Sequence, residues 1–178
     1  MCSQSQFVPS AQQREVARQH VVFELRMFKE VAHQHLAALG ERPQDTPAMC
    51  RVSALRDSAL LHLRNLHDFF MVPRKKDDII AADFVAPEHS DWTAAPLLAA
   101  VAEAVEDINK FRSHLTYTRT QRTRSWPLDV FEREIDLAFT ESLLRLPDDE
   151  RQTWRVMIDS PGWRPARQQR GFVVPETS

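Results

Sequence analysis

The chain has 178 residues, with 23 Lys plus Arg against 25 Asp plus Glu, 7 His, 3 Gly, 11 Pro and 2 Cys. That length encloses one core without disulfides or structural metal, and 43% apolar with 27% charged residues excludes a disordered chain. Three glycines exclude a turn-rich all-β fold and a nucleotide fold built on Gly-rich loops, and a net charge of −2 argues against nucleic-acid binding by the whole surface.

Ser10 followed by Gln13 is a capping-box signature. Val16, Phe23, Met27, Phe28, Val31, Leu36 and Leu39 then recur at roughly helical spacing until Gly40, which predicts a long first helix. Thr46 and Pro47 open a second, whose stripe is Val52, Leu55, Ala59, Leu63, Leu66 and Phe70, broadened by Leu60 and Leu61. Periodicity fails from Arg74 to Asp91, so this stretch reads as an ordered connection with one short helical turn. Ile79, Ile80, Phe84 and Trp92 are expected to pin it to the core.

A third helix is expected from Thr93–Pro96, with Leu97, Val101, Val105, Ile108, Phe111 and Leu115 on one face. The β-branched, basic string HLTYTRTQRTRS ends it, and Pro127 restarts a fourth carrying Leu128, Phe131, Ile135, Phe139, Leu143 and Leu146. Pro147 with Asp148, Asp149 and Glu150 starts a fifth, acids against the positive helix end. The expected architecture is an all-α antiparallel bundle of four to five helices over residues 10–158. Residues 1–9 form an N-terminal extension and 159–178 read as a flexible C-terminal tail.

Cys2 and Cys50 allow neither a disulfide framework nor a CxxC knuckle, and the N-terminus lacks a basic start with an apolar run. The longest nearly apolar stretch, Ala94 to Ala102, is interrupted by Pro96 and falls short of a membrane span. The reading is a cytoplasmic protein without membrane contact. Of the basic residues 19 are Arg and 4 Lys. Arg carries a planar fork suited to phosphate, although a GC-rich genome gives the same bias.

Between Ile108 and Leu128 there is no acid, while Lys110, Arg112, Arg119, Arg122 and Arg124 interleave with Phe111, Tyr117 and Trp126. Cations beside aromatics are what a single-stranded RNA surface requires, since Arg pairs with phosphate and rings stack on unpaired bases. The bland alternative is a solvated basic helix end, stabilised by its carbonyl dipole. Within it, INKFRSHLTYTR puts Lys110 and His114 on one helical face and Asn109 and Arg112 on its neighbour. Imidazole exchanges a proton near neutral pH, and adjacent cations steady a phosphorane, so these are the parts of a metal-independent ribonuclease. Against that, His114 can simply cap the last carbonyls of the helix. On the second helix Arg64, His67 and Asp68 share a face, where a local Arg64–Asp68 ion pair is the simpler reading. His62 lies near the apolar stripe and reads as a packed core histidine.

The strings RNLHDFF, DDIIAADF, then Trp92, then INKFRSHLTYTR, together resemble the abortive-infection AbiU-type branch of the HEPN superfamily over residues 10 to 145. The resemblance implies a helical bundle, often a homodimer, and in many members a metal-independent endoribonuclease of toxin–antitoxin or phage-defence systems, with no cofactor. It further implies an antitoxin or neighbouring protein as partner, and an active site of Arg and His separated by four to six residues, with a polar residue after the Arg. Asp107, Ile108 and Asn109 occupy the positions where that Arg would precede His114, so the string departs from the pattern there. Arg14–His20, Arg26–His33 and Arg56–His62 do satisfy the spacing, but chance supplies about two such pairs in a chain of this composition.

The candidate catalytic set is therefore His114 with Asn109 and Lys110, and Arg119 or Arg64 as the phosphate-binding cation. Arg112, Tyr117, Arg122 and Arg124 are the candidate RNA-binding residues. The alternative function is a non-catalytic helical dimerisation or interaction module. A metal bundle using His62, His67 and His114 is a weaker third, because no Glu-x-x-His or H-E-x-x-H string accompanies them.

Overall fold

The computed structural model describes residues 7–42, 44–71, 78–113 and 126–160, the side chains of 110–113 excepted, and among these residues five α-helices and three single 3₁₀ turns form the regular structure. The fold is all-α, as the composition and periodicities require.

Helix α1 (Ala11–Gly40) begins at the predicted box: Ser10 Oγ accepts from Gln13 N–H, and Gln13 Oε1 accepts from Ser10 N–H at 2.8 Å. Gly40 is not the residue that turns the chain. Arg42 is, with φ 51°. Helix α2 (Thr46–Phe70) is capped one residue earlier than expected, by Asp45, whose Oδ1 accepts from Ala48 N–H at 2.7 Å. The two helices run antiparallel, since His35 Nδ1 meets the Val52 carbonyl at 3.0 Å and His62 Nδ1 meets Glu24 Oε2 at 2.6 Å. One move back along α1 matches one forward along α2, so the two bonds fix a single register.

The buried face of α1 differs from the expected stripe. Phe28 and Val31 are inside and Phe23 and Met27 half-buried, but Val16, Leu36 and Leu39 are 45%, 46% and 47% exposed. Val21, Val22, Leu25 and Ala32 take their places, together with Arg18 and His35. The cause is that α1 meets different elements along its length, so no single stripe is buried throughout. On α2, Ala59, Leu60, Leu63, Leu66 and Phe70 are buried and Val52 and Leu55 half-buried, whereas Leu61 faces out.

The stretch expected to hold one helical turn holds two 3₁₀ turns among its described residues, at Ala81–Asp83 and Pro87–His89, and a third follows at Ala95–Leu97. Its anchors are as expected: Ile80 and Phe84 are buried, Ile79 and Trp92 half-buried. Helix α3 (Ala99–Ser113) starts later than Thr93–Pro96, because Pro96 lies within the third turn and Leu98 leaves helical geometry. Its first turn has no side-chain cap of its own. Glu134 supplies one from helix α4 (Leu128–Leu143), its two carboxylate oxygens accepting from Ala100 and Val101 N–H at 3.0 Å each.

Helix α5 (Asp148–Asp159) opens on its three acids, and Trp154 inserts among Phe69, Phe84 and Phe139, ring centres 5.3 to 6.2 Å away. Arginines tie α5 to α1 at both ends. Arg18, buried and facing the Trp154 ring, bonds Glu15 and Glu150, and Arg26 donates to the carbonyls of Met157, Ile158 and Ser160. One buried cluster draws side chains from all five helices. No helix among the described residues is long and apolar enough to cross a membrane.

Candidate functional site

The candidate RNA-binding segment begins in the last residues of helix α3 and follows it in the chain. Val101, Ala104, Val105 and Ile108 bury the inner face of α3, and Glu134 holds its start. Helical backbone continues through Ser113, so Asn109, Lys110 and Arg112 all belong to its last turns. Asn109 is half-buried, and its side-chain oxygen is enclosed without a hydrogen-bond donor among the described residues. His114, Tyr117, Arg119, Arg122 and Arg124 lie outside the described residues, as do the side chains of Lys110 and Arg112.

Arg64, the other candidate cation, is on α2 and makes the local pair that its spacing suggests. Its Nε stands 3.8 Å from Asp68 Oδ2, with both side chains about half exposed. His67 Nδ1 lies 3.4 Å from the other Asp68 oxygen. Arg64 thus belongs to a small ionic group on α2, and no described bond links it to Asn109.

The three Arg–His pairs of family spacing differ in what holds them. Arg26 is committed to the C-terminal carbonyls of α5, and His33 is exposed. Arg14 has a buried Nε without an acceptor among the described residues, and His20 is exposed. Arg56 bonds its neighbour Asp57, Nε to Oδ1 at 3.0 Å, while His62 is bonded to Glu24. On α2, Arg56 and His62 are six residues apart, about a third of a turn round the helix and ~9 Å along it, so they flank the buried stripe rather than share one face.

His62 is more than a core histidine. Its side chain is 12% and that of Glu24 19% exposed, and the ring meets Phe23 edge-on at 6.0 Å. With Nδ1 donating to Glu24, the neutral ring leaves Nε2 as an acceptor. No local pattern signals this pair, since its partners are 38 residues apart.

Beside Glu24 a groove of about 640 Å³ opens between the N-terminal half of α1 and the C-terminal end of α2, closed at one side by Asp78 and Ile79. Val16, Val21 and Phe69 supply apolar surface, and Gln13, His20 and Asn65 supply polar groups. Its charged described residues are all acids: Glu24, Asp68 and Asp78. Such a lining repels phosphate. Among the described residues no group of three His, Cys, Asp or Glu could hold a metal ion. Compared with protein-family models, with curated proteins and with solved structures, the chain matches none.

Proposed function

We propose that the chain is a HEPN-like RNA-binding protein of a bacterial defence or toxin–antitoxin type system, acting as a metal-independent endoribonuclease. In this reading the stretch from Lys110 to Arg124 holds a single strand, with Arg112, Arg119, Arg122 and Arg124 on phosphates and Tyr117 on a base. His114 takes the proton of a ribose 2′-hydroxyl. The freed oxygen then attacks phosphorus, the bond to the 5′-oxygen breaks with a proton returned to it, and a cyclic phosphate remains. Lys110 and Arg119 balance the charge of the pentavalent centre, and Asn109 offers its amide beside them.

The observation that carries the reading is the separation of charge. The acid-free run follows α3 in the chain, whereas the charged described residues of the groove are all acids, and an all-α bundle is what the resemblance of RNLHDFF, DDIIAADF and INKFRSHLTYTR implies. The test is incubation of the purified chain with tRNA and mRNA in EDTA, alongside His114→Ala and His62→Ala. Cleavage lost only in His114→Ala supports the reading, cleavage lost only in His62→Ala moves the chemistry to the Glu24 pair, and no salt-sensitive RNA binding at all removes the function.

A second reading, a dimerisation module, draws on Leu36 and Leu39 at the end of α1 and Met49 at the start of α2. All three are exposed at the tip of the α1–α2 hairpin. Sedimentation of the wild type against Leu36→Glu/Met49→Glu distinguishes it: a dimer that these charges dissociate favours this reading, and an unaffected monomer removes it.

A further inference from the structure

Three tryptophans lie among the described residues, and they differ in what surrounds them. Trp154 is enclosed, at 3% exposure, by Phe69, Phe84 and Phe139. Trp92 is half-buried, with the Arg145 guanidinium 5.5 Å from its ring centre and with Glu88 and Asp91 close by in the chain. Trp126 is also half-buried and packs against the core, but it closes the acid-free run: Arg124 and Arg122 lie two and four residues before it. The first acid after it, Asp129, is paired with Arg133 at 3.5 Å. Pro127 and the buried Leu128 follow directly, and Leu128 N–H donates to the Trp126 carbonyl at 2.9 Å, so the backbone that carries the indole is tied to the start of α4.

We infer that Trp126 is a stacking platform for an unpaired RNA base. This role rests on the RNA reading above and adds to it the residue that places the strand against the bundle. A base stacks best on a ring already in position, because little side-chain freedom is then lost on binding. Trp126 meets that condition: the core holds part of the indole, and part remains accessible. Its place in the chain fits as well. Two residues of chain span at most ~7 Å, so Arg124 can hold a phosphate of the same strand whose base lies on Trp126. In a duplex the bases are stacked on one another and out of reach, so the indole selects a single strand or a loop.

The full chain is titrated with an oligoadenylate of about ten nucleotides and with an abasic ribose-phosphate chain of the same length and charge. Affinity is measured across a range of salt, and indole fluorescence is followed in parallel. The wild type is expected to prefer the oligoadenylate by at least about tenfold, with quenching of the indole. Trp126→Leu is expected to lower that preference about tenfold while keeping its affinity for the abasic chain, and Trp126→Phe, which retains a ring, to lower it less. Quenching is expected to persist in Trp92→Phe and to be lost in Trp126→Phe. Each variant is compared with itself on two ligands, so a change in stability alone does not mimic the effect, and the fluorescence of Trp126→Phe decides the matter should Trp126→Leu fail to fold. An unchanged preference in Trp126→Leu, or quenching in Trp126→Phe as strong as in the wild type, overturns the stacking role and leaves salt-sensitive RNA binding standing. Absence of salt-sensitive binding to either chain by the wild type overturns both.

Discussion

Replacing Glu134 by Ala tests how the bundle holds the helix that leads into the proposed RNA-binding segment. Each Glu134 oxygen accepts one of the orphan N–H groups in the first turn of α3, at 3.0 Å, and Leu98 just before the helix has no side-chain oxygen to take over. A hydrogen bond to a charged partner contributes ~1.5–3 kcal/mol, and losing a side-chain cap typically costs ~0.5–2 kcal/mol. The two bonds share one carboxylate in a half-buried site, and water reaches part of the vacated space. The expected loss is therefore about 2–4 kcal/mol, below the sum of two isolated bonds. For a chain of this size that lowers the melting temperature by roughly 5–15 °C. Glu134→Gln retains one acceptor but turns an NH₂ toward the second N–H, so it is expected to fall about midway. Urea unfolding followed by circular dichroism gives the stability, and amide exchange at Ala100 and Val101 localises it. A change below ~0.5 kcal/mol for Glu134→Ala, with unaltered exchange at those two amides, would refute the assignment of the cap.

Trp154→Ala removes a side chain that is 3% exposed among three phenylalanine rings, and is expected to cost ~3–5 kcal/mol by chemical denaturation, with Trp154→Phe recovering part of it. Lys29→Met gives the opposite result despite a 2.6 Å contact to Asp136: the side chains are 38% and 46% exposed, so a double-mutant cycle with Asp136→Asn should return less than ~1 kcal/mol. A Cβ on Gly40 meets open space, so Gly40→Ala is expected to be neutral or to stabilise by up to ~1 kcal/mol in thermal melts, and Arg42→Gly to relieve the left-handed backbone at the next turn. If the RNA reading holds, neutralising Arg112, Arg119, Arg122 or Arg124 singly should reduce the salt slope of RNA binding by about 0.7 each, and an unchanged slope for all four would place the RNA elsewhere.

Element boundaries were legible where chain chemistry is local. Ser10 with Gln13, Pro47 and the acids after Pro147 mark helix starts within a residue or two, because each acts on backbone three or four positions away. What could not be read depends on distant partners. Nothing near Leu98 announces a helix start whose cap is Glu134, 34 residues beyond Ala100. The α1 stripe misled at both ends for a related reason: Val16 lines an open groove and Leu36 and Leu39 reach the hairpin tip, while Arg18 is drawn inside by Glu150 and Trp154. Of the site residues, Arg64 makes the ion pair that its spacing favoured, and Asn109 has an enclosed oxygen with no donor among the described residues, which no sequence pattern signals.

The excess of arginine takes on a different meaning once the bundle is in view. Arg26 serves the last carbonyls of α5, and Arg151 donates to those of Leu143, Leu144 and Leu146 at the turn from α4 to α5. Arg145 bonds Glu141 and lies 5.5 Å from the centre of the Trp92 ring, and Arg18 joins α1 to α5. A guanidinium reaches several acceptors at once from a fixed plane, which a lysine ammonium does not, so helix ends in this bundle explain part of the Arg preference without any nucleic acid. Counting arginines is accordingly a poor guide to RNA contact in this chain. The informative quantity is local charge without local acceptors. Arg112, Arg119, Arg122 and Arg124 lie in a stretch with no Asp or Glu of its own, whereas Arg56, Arg64, Arg133 and Arg145 each have a carboxylate within four residues. That contrast singles out the stretch after α3 as the place to test RNA contact, and it holds whether His114 cleaves the strand or only lies beside it.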